Sequence, residues 1–239
     1  MSPPVYAILV TGKDEKRIAY ARLIGIKNFD MQDYKNKKMI IINHNKLKIL
    51  TTPRDDIYEL QVEKNNMTLG DLRNLAFELV PLNAISITWD DDDFRAPNYI
   101  SFMLNKLISS KSIAVFLKNR LEYNLANNYV FKSHFEDGNT HIMCIKLDRL
   151  RYLSKDTLED VYLGKNLRSF NKKYLAIDND PKLYIRIIHQ NNTSPYAQDT
   201  RTEIVNYSVY SYYKESEVSE EEKAYAIDII NKYYKFFKY

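Results

Sequence analysis

Ala84-Ile85-Ser86-Ile87-Thr88-Trp89-Asp90-Asp91-Asp92-Asp93 is a short apolar strand that runs straight into four consecutive carboxylates. Open α/β sheets place their ligand crevice at the carboxyl ends of their strands, which is where this acidic run falls. Adjacent carboxylates repel, so the run is tolerable in full solvent, beside cations or around a bound metal. In an extended or turning chain Asp90 and Asp92 can face one side and offer hard oxygen ligands to Mg2+ or Mn2+, with diphosphate oxygens and water completing the octahedron. A solvated acidic turn is the competing reading of the same residues. A calcium loop is not, because counting from Asp90 puts Phe94 where an oxygen ligand belongs, Arg95 where glycine belongs and Ser101 where a bidentate Glu belongs.

Working outward, residues 5–10 form a continuous apolar run that ends at Thr11-Gly12, the pattern of a buried parallel strand entering a tight turn. Asp14 can cap a helix over about 15–29, and Met39-Ile40-Ile41-Ile42 gives a second buried strand at 38–42, so the chain opens as βαβ. Strand patterns follow at 57–62, 84–88, 113–117, 129–133, 141–146 and 183–188. Helical spacing is predicted after Thr68 through Leu79, over 99–107 and over 157–167. Ser219 with Glu222 makes a capping box for a last helix to about 237. That helix would put Ala224, Ile227, Ile230, Tyr234 and Phe237 on one side, for docking on the core or for peripheral membrane contact.

At 239 residues the chain can bury a sizeable core as one domain, with 1–110 expected as a nucleotide-binding half, 111–218 as an acceptor-binding half and 219–239 as a terminal helix. The apolar fraction of 45% and charged fraction of 28% exclude disordered, collagenous and membrane-embedded classes. A formal charge of +4 suits a small anionic ligand as well as a nucleic-acid face. Cys144 is the single cysteine, so an intrachain disulfide, a thiolate zinc site and a two-cysteine redox motif are all excluded. A reducing, cytoplasmic setting follows as the expectation. No Gly-x-x-x-x-Gly-Lys phosphate loop occurs.

Four segments in order resemble glycosyltransferase family 2. Asp90-Asp91-Asp92-Asp93-Phe94-Arg95-Ala96-Pro97 is similar to its Asp-x-Asp-Asp motif followed by three residues and Pro. Leu69-Gly70-Asp71-Leu72-Arg73-Asn74-Leu75-Ala76 resembles its Gly-x-x-Arg-Asn helix start. Leu158-Glu159-Asp160-Val161 resembles its Gly-Glu-Asp segment with Leu158 in place of glycine. His189-Gln190-Asn191-Asn192-Thr193 resembles a His-Gly-x-Asn-Thr segment with Gln190 in place of glycine. The strand ending Asn43-His44-Asn45 lacks the Asp that many members carry there. Size and composition also resemble small enzymes of large DNA viruses, which would place the protein in a host cytoplasm.

The resemblance implies a GT-A fold, a mixed and mostly parallel sheet flanked by helices in one domain. It implies a metal-dependent, inverting transferase that uses a UDP-, GDP- or dTDP-sugar and a glycan, glycoprotein or lipid-linked acceptor, with no nucleic-acid partner. Asp90 and Asp92, with His189, would hold Mn2+ or Mg2+. Thr11, Gly12, Lys13, Asn43, Arg73, Asp90, Asp91 and Asp93 would face the nucleotide sugar. Asp160 would be the general base, because an acceptor hydroxyl needs a carboxylate within reach to take its proton, and Glu159 would orient it. The remaining histidines, His44, His134 and His141, have no metal-ligand spacing and receive no metal role. Two other readings stand beside this one: a sugar-phosphate nucleotidyltransferase, and a non-catalytic binding module of the same fold.

Overall fold

The apolar runs near the start of the chain become neighbouring parallel strands in a computed structural model that describes residues 2–63, 66–135, 141–170, 173–189 and 213–234. Strand β1 (Val5–Thr11) leads into helix α1 (Glu15–Tyr20), a π turn at Ala21–Gly25 and helix α2 (Ile26–Asp30). Asp14 caps this stretch by accepting from Lys16 N–H at 2.9 Å. Then come β2 (Lys37–Asn43), β3 (Ile57–Gln61), α3 (Leu69–Leu79), β4 (Ile85–Trp89), β5 (Phe94–Arg95) and α4 (Tyr99–Ser109). The second half runs β6 (Ala114–Leu117), β7 (Asn119–Asn124), β8 (Tyr129–Phe135), β9 (Ile142–Ile145), α5 (Glu159–Ser169), β10 (Tyr174–Ile177), β11 (Tyr184–Ile188), β12 (Tyr213–Ser216) and α6 (Glu220–Tyr233).

Seven strands form one sheet in the order β10-β6-β9-β4-β1-β2-β3, parallel except for β9, which is antiparallel to both β4 and β6. A second sheet has the order β12-β8-β7-β11-β5. Alternation along each strand sorts side chains to two faces even though both are covered. Ala7, Leu9, Ile41, Ile87 and Met143 join a core shared with the helices α2 and α4, the second sheet and α6. Ile8, Ile40, Ile42, Phe116 and Ile142 face the other way, onto Leu72, Ala76 and Phe77 of α3 and Leu163 and Leu167 of α5. This is the mixed, mostly parallel α/β architecture expected from the sequence.

Strands β5, β7, β10 and β12 were not anticipated, and neither was the π turn inside the first helical stretch. The capping box of Ser219 and Glu222 forms as expected. Helix α6, however, buries Ala226, Ile229, Ile230 and Tyr234, and Ile227 is 36% exposed. The stripe is rotated because Tyr225 and Tyr233 pack their rings on Phe94 and fix the helix from that side. Phe237 and residues 190–194 lie outside the described residues. Among the described residues no helix is long and apolar enough to cross a membrane.

Candidate active site

Strand order reverses between β1 and β4, since the chain leaves β1 toward β2 and β3 and returns on its other side as β4. A crevice at the carboxyl ends of these two strands is where such sheets bind ligands. The residues there are Thr11, Gly12 and Lys13 after β1, and Asp90 to Asp93 after β4. Trp89 anchors the motif from below, donating its indole N–H to Gly25 O at 3.0 Å. Gly25 lets the motif backbone pack close, since a Cβ there would stand 3.3 Å from Asp91 Cα and would push the Leu9 Cδ1 methyl, at 2.7 Å, aside.

Four consecutive carboxylates need cations, and the fold brings arginines from three directions. Arg17 of α1 lies 2.5 Å from Asp91 Oδ1 and 2.7 Å from Asp92 Oδ2. Arg73 of α3 lies 3.1 Å from Asp90 Oδ1. Arg95 is fully buried, 3.6 Å from Asp90 Oδ2, with its guanidinium 4.3 Å from the Trp89 ring centroid. Asp91, Asp92 and Asp93 are buried, whereas the Asp90 side chain keeps 24% exposure and is the member open to a ligand.

Each carboxylate has its own environment. Burial raises Asp91 well above the usual range, and Arg17 only partly opposes it. For Asp92 burial is outweighed by Arg17 and by His189, whose Nε2 is 3.1 Å from Asp92 Oδ2, so its pKa is lowered. Asp93 accepts from the Tyr184 hydroxyl and, at 2.8 Å, from Ile187 N–H, which ties the motif to the second sheet. Burial and the neighbouring Asp92 and Asp90 push Asp93 up to about 7.

The acids expected as base and helper arrive at the same place. Leu158, at the N-terminal end of α5, has φ 65 and ψ 10, the left-handed backbone that the glycine of the resembling segment would adopt without strain. Glu159 is buried with Oε1 2.9 Å from Arg73 Nη1, and Asp160 Oδ2 is 4.0 Å from the same nitrogen. Asp160 Oδ1 accepts from Val161 N–H at 2.8 Å. Burial outweighs Arg73 and, with Asp160 adding to it, pushes Glu159 up to about 7. Arg73 itself pairs with these carboxylates in this structure.

On the β1 side, buried Thr11 donates to Asn43 Oδ1 at 3.3 Å. The Asn43 amide donates to Leu47 O at 2.8 Å and to Glu59 at 2.6 Å, so this side chain fastens the loop after β2. A Cβ on Gly12 would meet only Arg17 Cγ, at 3.6 Å, so the protein itself imposes no steric demand for glycine there. Lys13 is exposed, and its carbonyl accepts from Asn45.

The predicted metal set of Asp90, Asp92 and His189 is divided between two clusters. Asp92 and His189 pair with each other beside Arg17. Asp90 gathers with Asp93 and His141, whose ligand atoms all lie within 4.8 Å of one another, the one grouping of this kind among the described residues. Two carboxylates and an imidazole are a donor set that could hold a divalent ion. His141, which carried no sequence signal, comes to Asp90 at 3.7 Å through β9 and is held neutral by burial and the surrounding arginines. Arg120 Nη1, a donor only, faces its Nε2 at 3.5 Å, so a cation on Nδ1 needs the proton moved off that nitrogen. Arg120 and Arg186 also flank buried Glu122, at 2.9 and 3.4 Å.

The fold that these elements define is of the GT-A class. No protein-family model matches the chain, and no curated protein sequence matches it. Among solved structures, residues 1–349 of TarS from S. aureus are similar at a TM-score of 0.54 and 12% identity, over 77% of this chain and 60% of that one. The same TarS segment in complex with UDP gives 0.57 and 13%, with 77% and 60% covered. In complex with UDP-GlcNAc it gives 0.57 and 13%, with 95% and 67% covered. In the first two matches the chain spans 60% of the length of its neighbour.

Proposed function

We propose that the chain is a metal-dependent glycosyltransferase that moves a sugar from a nucleoside-diphosphate donor to an acceptor hydroxyl with inversion. The observation that carries this reading is the meeting of Asp90 with Glu159 and Asp160 through Arg73, at the switch point of a fold shared with a protein solved with UDP and UDP-GlcNAc. The donor would lie over the ends of β1 and β4, against Thr11, Gly12, Lys13 and the acidic motif. Asp90, with Asp93 and His141 beside it, is the proposed holder of Mn2+ or Mg2+, while Asp92 and His189 pair with each other at the edge of the site. A cation bound there would neutralise charge developing on the departing diphosphate.

Asp160 takes the proton of the acceptor hydroxyl as that oxygen attacks the anomeric carbon, and a single displacement inverts the configuration. Glu159, locked on Arg73, positions the start of α5 and so the base. The acceptor class is a glycan, glycoprotein or lipid-linked sugar. A panel of UDP-, GDP- and dTDP-sugars, assayed with and without Mn2+, tests the reading: at least one donor should bind and be turned over only with the metal. Asp160→Asn should keep donor affinity and lose transfer by roughly 10²- to 10⁴-fold. Unchanged transfer would remove Asp160 from the mechanism.

A further inference from the structure

The register of the small sheet carries a row of side chains outward from the acidic motif. Residues directly opposite on paired strands share a face, as do residues two apart on one strand. Arg95 of β5 is opposite Tyr184 of β11, and Arg186 of β11 is opposite Glu122 of β7. Glu122 and Asn124 of β7 are in turn opposite Phe131 and Tyr129 of β8. The inner end of this row belongs to the site already described, since Tyr184 donates to Asp93 and Arg95 lies beside Asp90. The other face of the sheet is closed, with Leu121, Tyr123, Val130 and Ile185 in the main core and Lys132 paired with Glu222 of α6. The row therefore lies on the face that looks toward the crevice.

Along the row the chemistry changes from charged to aromatic. Arg186 is 16% exposed and is oriented by buried Glu122, 3.4 Å away, which Arg120 and Ser133 hold in turn. Farther out Tyr129 is 52% exposed, and its ring stacks on Phe131 with centroids 5.7 Å apart and planes 25° from parallel. Flat aromatic faces beside fixed hydrogen-bonding groups suit a pyranose, whose C–H groups lie on a ring face while its hydroxyls lie around the edge. Strands are ~4.8 Å apart, so β8 stands roughly 10 Å from β11, the span of about two sugar units. We infer that this row is an acceptor track, on which a saccharide chain lays one unit over Tyr129 and Phe131 while the unit bearing the reacting hydroxyl sits inward, beside Arg186. The inference rests on the glycosyltransferase reading and deepens it: the acceptor is a saccharide of at least two units, because a single sugar lacks the outer contact.

The test is binding of the labelled chain, with UDP and Mn2+ present, to an array of immobilised glycans that range from single hexoses, pentoses and N-acetylhexosamines to their short oligomers. Oligomers should be retained about three- to tenfold more strongly than single sugars of the same kind. Tyr129→Ala should remove that advantage, whereas Tyr129→Phe should keep it, with UDP affinity and melting temperature unchanged in both. Phe131→Leu, which keeps an apolar contact but removes the flat ring, should show the same loss as Tyr129→Ala. The inference is overturned if Tyr129→Ala keeps the advantage, if the wild type binds single sugars as well as it binds oligomers, or if it binds nothing on the array. A wild type that does not bind UDP in the presence of Mn2+ would instead sink the nucleotide-sugar reading itself, a distinct result.

Discussion

Arg73 Nη1 lies 2.9 Å from Glu159 Oε1, and this contact joins helix α3 to the start of α5 while Nη2 of the same guanidinium reaches Asp90 at 3.1 Å. One side chain thereby sets the spacing between the acidic motif and the proposed base. Arg73→Met would leave Glu159 without its cation and Asp90 with Arg95 alone. A loss of roughly 3–5 kcal/mol in urea unfolding is expected, with Arg73→Lys losing less. A Met variant as stable as wild type would mean that the clamp contributes nothing to holding α5.

Glu159 gives the site a pH signature. Its carboxyl is pushed up from 4.5 to about 7, chiefly by burial, so the folded state binds this proton more tightly than the unfolded chain does. The resulting stability is complete below the unfolded pKa and is lost as pH rises toward 7. Glu159→Gln cannot titrate, so the stability of the variant relative to wild type should climb by ~1–3 kcal/mol between about pH 5 and about pH 8. A flat difference across that range would show that Arg73 keeps Glu159 ionised throughout.

Gly70 is the point where α3 meets the segment leading into α5. A Cβ there would stand 1.8 Å from Leu153 O, and Gly70 N–H donates to Lys155 O at 2.9 Å. Backbone cannot yield as a flexible side chain can, so Gly70→Ala should cost ~2–3 kcal/mol or more and lower the melting temperature. Unaltered melting would show that the 153–156 segment gives way freely.

Leu158 holds a left-handed backbone at φ 65. A branched residue tolerates that region poorly, and glycine adopts it without a steric penalty. Leu158→Gly should therefore be more stable than wild type by ~0.5–1 kcal/mol, whereas Leu158→Val should lose at least ~1 kcal/mol. The two variants moving in the same direction would contradict this account of the turn.

Asp90 belongs to both candidate metal sets, and so Asp90→Asn should abolish Mn2+ binding in the presence of UDP. Asp92→Asn, which removes a carboxylate beside that cluster rather than within it, is expected to weaken it by about 10- to 100-fold, and His141→Gln by more. The opposite ranking, read by isothermal titration, would move the cation to Asp90, Asp92 and His189.

The large sheet was legible because its strands are unbroken apolar runs buried on both faces, as in Ile40-Ile41-Ile42. Strand β7 was not, because Asn119-Arg120-Leu121-Glu122-Tyr123-Asn124 buries charges that only Arg186, Ser133 and their own pairing make tolerable. Local pattern carries no trace of such partners. The same holds within the site: Asp90 to Asp93, Arg73, Glu159 and Asp160 announce themselves in short motifs, whereas His141 and Arg17 are isolated residues whose meaning comes from what the sheet brings beside them. The π turn at Ala21–Gly25 has no local signature, because what it serves is the close approach of Asp91 to Gly25, a contact between residues far apart in the chain.

Trp89 is the single tryptophan of the chain, buried one residue before Asp90 and lying under the Arg95 guanidinium. An indole so close to a charged group is a native fluorophore wired to the site. Any rearrangement of Arg95 relative to Asp90 alters the field across that ring, and intrinsic emission, with no added dye, becomes an optical gauge of ligand arrival in the crevice.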